Sequence, residues 1–357
     1  MATVGPTLEK PEDLAAAIAA GARWFRLPCG YRERPHVQNS RDIRAAAQQL
    51  GIPVHLLLDL PSSRPRTGAM PELRLAEGDS VIFWDPETAE TMPLMNGTPP
   101  VPLPGLAPLV GKLRKNHRLW FCDGRLSFIV REFRDGAVLA RLEKGGIPLK
   151  TSNAIFLPDS PSPFSVVTHA DAELLDAFGG GGVWPDWVAL SLVAAPEDVV
   201  DGRREVEHHL RGPVKIMAKF ETTAAIERAQ EIIAVADGVM VARGDLGLAV
   251  GYVRLPGVQE QLVAAARRAH KPVVVATQVL EVFAETGLPQ RGELSDLSLI
   301  ARQRADAVML GKETVFSPRP LECIKFAHEM LAHETHRFEQ AARRERASRR
   351  PLEPASG

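Results

Sequence analysis

P-V-K-I-M-A-K-F-E at residues 213–221 and D-G-V-M-V-A-R-G-D-L-G-L at 237–248 bracket a segment, Thr222 to Val235, with helical spacing. The apolar runs Val214 to Ala218 and Val239 to Ala242 have the length of buried strands. They are predicted to be parallel neighbours joined by a right-handed crossover. Each run ends in charge: Lys219 and Glu221 after the first, Arg243 and Asp245 after the second. Apolar residues fill the strand and reactive ones appear where it emerges, the way a β/α barrel builds a site at the carboxyl ends of its strands.

The same alternation extends in both directions. Upstream, strands are expected at Thr3 to Pro6, Trp24 to Leu27 and Val54 to Leu58, with helices at Glu12 to Ala20 and from a Ser40 cap to Leu50. Downstream, strands are expected at Trp187 to Leu192, Pro272 to Ala276 and Ala307 to Leu310. Helices fall at Ala170 to Phe178, Pro196 to Leu210, Val258 to His270, Leu294 to Arg304 and Pro320 to about His336. Gly179 to Gly182 reads as a connector loop, because no strand leads in and no Gly-Lys-Ser/Thr follows. The sum is an α/β (β/α)8 TIM barrel.

The alternation stops after the third strand. Pro71 to Phe83 and Leu119 to Leu142 read as short strands with Gly-Asp and Asp-Gly turns, separated by a Pro-rich, irregular stretch from Thr91 to Pro108. Residues 1–68 and 164–340 are assigned to the barrel and 69–163 to an inserted small β domain. Residues 341–357 are assigned to a flexible basic tail, in which the helix frays.

A chain of 357 residues holds one large barrel and a small extra domain. With 43 basic against 44 acidic residues, a formal net charge of -1 gives no reason to expect nucleic acid or an anionic membrane as partner. Cys29, Cys122 and Cys323 are scattered, which argues against a disulfide framework and for a reducing, cytoplasmic setting.

Glu221 and Asp245 past adjacent strand ends can bring two hard oxygen donors together, a set suited to Mg2+ or Mn2+. The competing use is a salt-bridge network with Lys219 and Arg243. Lys219 sits where an ammonium group acts on charge that develops in a transition state. Gly244 and Asp245 offer backbone N–H groups ahead of a helix, suited to a substrate carboxylate. Cys29 is either a nucleophile with a pKa lowered by nearby arginines or a small buried side chain. Lys312 either supplies a cation to the site or points to solvent.

K-F-E followed by M-V-A-R-G-D-L-G resembles the catalytic segment of pyruvate kinases. A-T-Q-V-L-E at 276–281, M-L-G-K-E-T at 309–314 and A-T-V-G-P at 2–6 add to the resemblance in family order, from about Ala2 to about Glu334. It implies that the inserted β domain is a lid over the active site. It assigns catalysis to Lys219, Thr277 and Arg66, and the divalent metal to Glu221 and Asp245. Substrate contacts fall on Arg26, Arg66, Lys219, Gly244, Asp245 and Thr277. The chain also departs from the family. Leu27-Pro28-Cys29-Gly30 stands where Asn-Phe-Ser-His is usual, and Leu60-Pro61-Ser62-Ser63-Arg64 follows Asp59 in place of Thr-Lys-Gly-Pro-Glu. These changes remove K+ ligands and nucleotide contacts, so K+ is not expected and the nucleotide is in question. The family's C-terminal domain is expected to be missing.

Three functions follow as expectations. The first is a Mg2+-dependent phosphotransferase acting on phosphoenolpyruvate or a related enol phosphate and a 2-oxo acid, with ADP/ATP as open partners. The second is a metal-dependent 2-oxo-acid lyase or enolate tautomerase without nucleotide. The third is a non-catalytic binding protein. A homo-oligomer is compatible with each.

Overall fold

Eight parallel strands close into a ring: β1 (Ala2–Thr3), β2 (Trp24–Pro28), β3 (His55–Leu60), β4 (Trp187–Leu190), β5 (Lys215–Phe220), β6 (Gly238–Ala242), β7 (Val273–Ala276) and β8 (Ala307–Met309). The structure, a computed structural model, describes all residues except 32–33, 63, 90, 93–94, 96, 123, 160–164 and 349–357, and the side chains of 342 and 345–348. The strands follow one another in chain order. Ala2 pairs in parallel with Leu310, whose N–H donates to Met1 O at 3.0 Å, and this contact seals the barrel.

The two-residue period of each strand sorts its side chains. Leu56, Leu58, Val188, Ile216, Ala218, Val239 and Val241 pack outward under the helices. Leu57, Ala189, Met217, Met240, Val274 and Met309 form a separate cluster inside the barrel. Two residues further along the same inward face come Asp59 after Leu57, Ser191 after Ala189, and Lys219 after Met217. The register aligns these levels, with Leu190 opposite Ala218 and Leu58 opposite Val188. The apolar interior therefore ends in a polar layer at one mouth, and one further step along β5 reaches Glu221.

The helices depart from the sequence-based expectation in four places. Ser40 is not a cap: the helix His36–Leu50 begins at His36, where Pro35 ends the preceding chain, and Ser40 Oγ donates to His36 O within it. The first three glycines of 179–182 are helical, because His169–Gly181 is a continuous helix capped by Thr168. A Cβ on Gly179 would come within 2.7 Å of His209 O, so this one glycine gives close packing against the helix Pro196–Leu210. The crossover between β5 and β6 is two helices, Thr223–Glu227 and Ala229–Val235, broken at Arg228. The last helix, Pro320–Ser348, runs well past His336.

Between β3 and β4 lies a second, six-stranded sheet of Ser80–Trp84, Pro100–Pro102, Arg118–Phe121, Leu126–Arg134, Ala137–Lys144 and Ile155–Phe156. It has its own core, in which Phe83, Phe121 and Phe128 pack ring against ring. The stretch expected to be irregular contributes Pro100–Pro102, paired in parallel to Ser80–Trp84, and a helical turn, Ala107–Val110. The expected restart of the barrel at Phe164 and part of the tail lie outside the described residues. Among the described residues no helix is long and apolar enough to cross a membrane.

Candidate active site

The polar layer at the barrel mouth is an ion network centred on Lys219. Its Nζ lies 3.0 Å from Asp59 Oδ1, 2.7 Å from Ser191 Oγ and 3.1 Å from Glu221 Oε1. Asp59 and Ser191 accept hydrogen bonds from the ammonium group, and Glu221 adds an ion-pair contact. Asp59 Oδ2 accepts from Arg26 Nε at 2.6 Å, Glu221 Oε2 accepts from the Leu192 N–H at 2.8 Å, and Ser191 Oγ donates to Leu60 O. Asp59, Ser191, Lys219 and Glu221 are all buried. Burial pushes the Asp59 carboxyl up, but the charges of Lys219 and Arg26 outweigh it and hold its pKa below the usual value. Burial likewise pushes Lys219 down, and Asp59 with Glu221 reverses that, leaving the ammonium form favoured. Each charge thus stabilises its neighbours in a site water hardly reaches.

Asp245 stands beside this network in the first turn of the helix Arg243–Val250. Arg64 grips it with two parallel bonds, Nη1 to Oδ1 at 3.0 Å and Nη2 to Oδ2 at 3.1 Å. Burial raises the Asp245 pKa, yet Arg64, Lys219 and Arg66 more than offset it and the net shift is downward. The side chain keeps 24% of its exposure, so solvent screens this pair more than the Lys219 network. Arg66 donates to Ser152 O, on the side of the small sheet; burial and the neighbouring Arg64 charge lower its pKa.

The third part is the turn after β7. Thr277 and Gln278 have φ of 73° and 53°, left-handed values that are costly for a β-branched residue. Arg243 holds the turn by donating to both carbonyl oxygens while its Nη1 binds Asp296 at 2.6 Å. Thr277 Oγ accepts from the Gly244 N–H at 3.0 Å. A depression lined by Arg26, Gly244, Thr277 and Lys312, among others, opens beside this turn.

The structure thus places Lys219, Glu221 and Arg26 in one cluster, Asp245 beside it through Arg64, and Thr277 on Gly244. Arg66 is turned toward Ser152. Of the competing salt-bridge network, the Lys219–Glu221 half is present, whereas Arg243 is held by Asp296. Gly244 and Asp245 lie inside the helix rather than ahead of it, because Arg243 already begins it. Cys29 is buried with its Sγ donating to Leu27 O, the packing role. Lys312 is 64% exposed and 3.4 Å from Glu281. Asp59, kept at the end of β3 but given no role, Ser191 and Arg64 were not among the expected site residues. Ser191 carries a signal in its position, two past Ala189 on the inward face; Arg64 carries none, because its partner is remote in sequence.

Among the described residues no three His, Cys, Asp or Glu side chains gather as a metal cage. Mg2+ takes one or two carboxylates and completes its shell with water and substrate, and Glu221 could hold it only by sharing an oxygen already engaged by Lys219 or the Leu192 N–H. Asp245 could do so with an oxygen released by Arg64.

The sequence matches the family description "Pyruvate kinase, barrel domain" over residues 1–324. It is 34% identical to the pyruvate kinase of Methylorubrum extorquens over 327 residues, covering 91% of this chain and 66% of that protein. A pyruvate kinase of Agrobacterium vitis is 32% identical, with 93% and 67% covered, and that of Thermotoga maritima 31%, with 90% and 68%. The chain spans about two thirds of the length of these curated relatives.

Proposed function

This chain belongs to the pyruvate kinase family, and on that premise we propose that it is a divalent-metal-dependent phosphotransferase acting between an enol phosphate and an acceptor. Phosphoenolpyruvate, with pyruvate as its dephosphorylated partner, is the substrate the residues suit best, and a nucleoside diphosphate is the first acceptor to test. In the forward direction the bond from phosphorus to the enol oxygen breaks and one to the acceptor oxygen forms. The enolate left behind then takes a proton at C3 to give the 2-oxo acid.

The observation that carries this reading is the buried Lys219 ammonium, held at the barrel mouth by Asp59, Ser191 and Glu221. A cation fixed before the reaction needs no reorganisation when negative charge builds on the phosphoryl and enolate oxygens. Arg26, fixed by Asp59, would present a planar guanidinium to the phosphoryl group, and Arg66 would add a second only on leaving Ser152 O. The Thr277 hydroxyl, which accepts from the Gly244 N–H, would serve the proton at C3. Glu221 and Asp245 would hold the metal, which when bound supplies Lewis-acid charge to the phosphoryl oxygens.

Coupled turnover of phosphoenolpyruvate with Mg2+ and a panel of nucleoside diphosphates tests the proposal, with Lys219→Met as control. Turnover is expected, and the substitution should abolish it. Failure with every diphosphate would remove the reading. The residue changes around Pro28 and Cys29 motivate one parallel arm. Deuterium uptake at C3 of pyruvate without nucleotide would instead favour an enolate tautomerase on the same Lys219.

A further inference from the structure

A second cavity, of about 320 Å³, lies between the small-sheet segment Ile155 to Asp159 and the barrel loops after β4 and β5. It shares no lining residue with the depression beside Thr277. We propose that it is a binding site for a small aromatic molecule carrying one anionic group, distinct from the substrate of the phosphotransfer.

Its walls give the aromatic part. Phe156, Leu157 and Pro158 line one side and Leu192, Ala194 and Ala224 the other. The volume is in the range of ligand pockets, roughly 300–1,000 Å³, which are mostly apolar with a few placed polar groups. The Phe156 ring is held by two neighbours, Trp120 at 6.1 Å with 22° between planes and the Arg64 guanidinium over the ring, so it forms a fixed part of the wall.

Its charged groups give the anionic part. Arg64 lines the cavity with its guanidinium carbon 5.8 Å from the Phe156 ring centre. Asp159 is neutralised by Arg118 through two bonds to its carboxylate. Glu227 is the remaining carboxylate on the lining and opposes an anion. A ligand carboxylate at Arg64 competes with Asp245 for the same guanidinium, so an occupied cavity loosens the grip on Asp245. This ties the cavity to the ion network without requiring any shared ligand.

The test is a fluorescence titration of the full chain with 2-naphthoate, using the neutral 2-naphthylmethanol for comparison. Naphthoate should bind with one-to-one stoichiometry, at least tenfold tighter than the alcohol. Ala224→Trp, which fills the cavity, should weaken naphthoate at least tenfold, with Ala194→Trp as the second filling variant should the first fail to fold. Arg64→Met should erase the preference for the anion, and Glu227→Gln should strengthen it. Absence of saturable binding, equal affinity for the alcohol, or affinity unchanged in a folded filling variant would each overturn the proposal. No turnover is measured, so this result stands or falls independently of the phosphotransferase reading.

Discussion

Lys219 Nζ and Asp59 Oδ1 lie 3.0 Å apart although 160 residues separate them in the chain. The two side chains extend from β5 and β3, with β4 between them. The register of three adjacent strands therefore sets their contact, and the contact in turn fixes Arg26. Removing one partner strands a buried charge, which costs about 3–5 kcal/mol, whereas replacing both by apolar side chains is often near neutral. Asp59→Leu should lower the denaturant midpoint by about that amount of stability, and Asp59→Leu with Lys219→Met should lose clearly less than the sum of the two single losses, the remainder reflecting Glu221 and Arg26 left without their partners. Additive losses in that double variant would show that the pair is not a coupled unit.

The same network fixes how stability responds to pH. Asp59 has a folded pKa below its reference of 3.8, so its contribution is present above that value and is lost as pH falls through the lower folded pKa. Lys219 is raised above 10.5, so its contribution is complete below that value and is lost as pH rises through the folded pKa. Stability from this pair should be flat between the two limits. Asp59→Asn should remove part of the acid dependence, and an acid limb identical to that of the parent chain, followed by thermal melts, would contradict it.

Arg64 should restrain the metal. Its two bonds occupy both oxygens of Asp245, and a charge-assisted bond contributes about 1.5–3 kcal/mol. Arg64→Met should therefore tighten Mn2+ binding by about tenfold, a change equivalent to one such bond at the lower end. Titration followed by Mn2+ paramagnetic resonance reads this directly. Unchanged or weaker binding would mean that Asp245 is not the ligand, or that Arg64 supports the metal through another contact.

Much of this was legible in the sequence, and physics marks where legibility stopped. The barrel was readable because the buried strands are short apolar runs alternating with helical segments, and because β5 and β6 each end in charge, with Lys219 and Glu221 two residues apart. The family motifs raised Arg26, Arg66 and Thr277 from ordinary polar residues to candidates. Ser40 misled because a serine ahead of an apolar run looks like a cap, while Pro35 had already provided the start. The glycines at 179–181 misled because their propensity favours a loop, whereas the helix capped by Thr168 continues through them and Gly179 packs closely on His209 and Leu210. The Arg64–Asp245 pair was hidden because it depends on tertiary approach across 181 positions, for which local pattern holds no signal.

Thr277 gives the last prediction, because strain and chemistry there should separate. Its φ of 73° suits glycine and penalises any side chain branched at Cβ, while its hydroxyl takes the Gly244 N–H. Both Thr277→Ala and Thr277→Gly remove the hydroxyl, so both should lose turnover to the same degree, about 10²-fold if a positioned polar group is the loss. Their stabilities should differ. Alanine keeps a Cβ in the left-handed region and glycine does not, so the glycine variant should be the more stable by about 1 kcal/mol. That order is the reverse of the one found in ordinary strands or helices, where glycine is the weaker residue. Thr277→Ser keeps the hydroxyl and should retain most activity. Equal stabilities for the alanine and glycine variants would show that the turn relaxes once the side chain is cut. The grip of Arg243 on its two carbonyl oxygens would then not be what holds the turn.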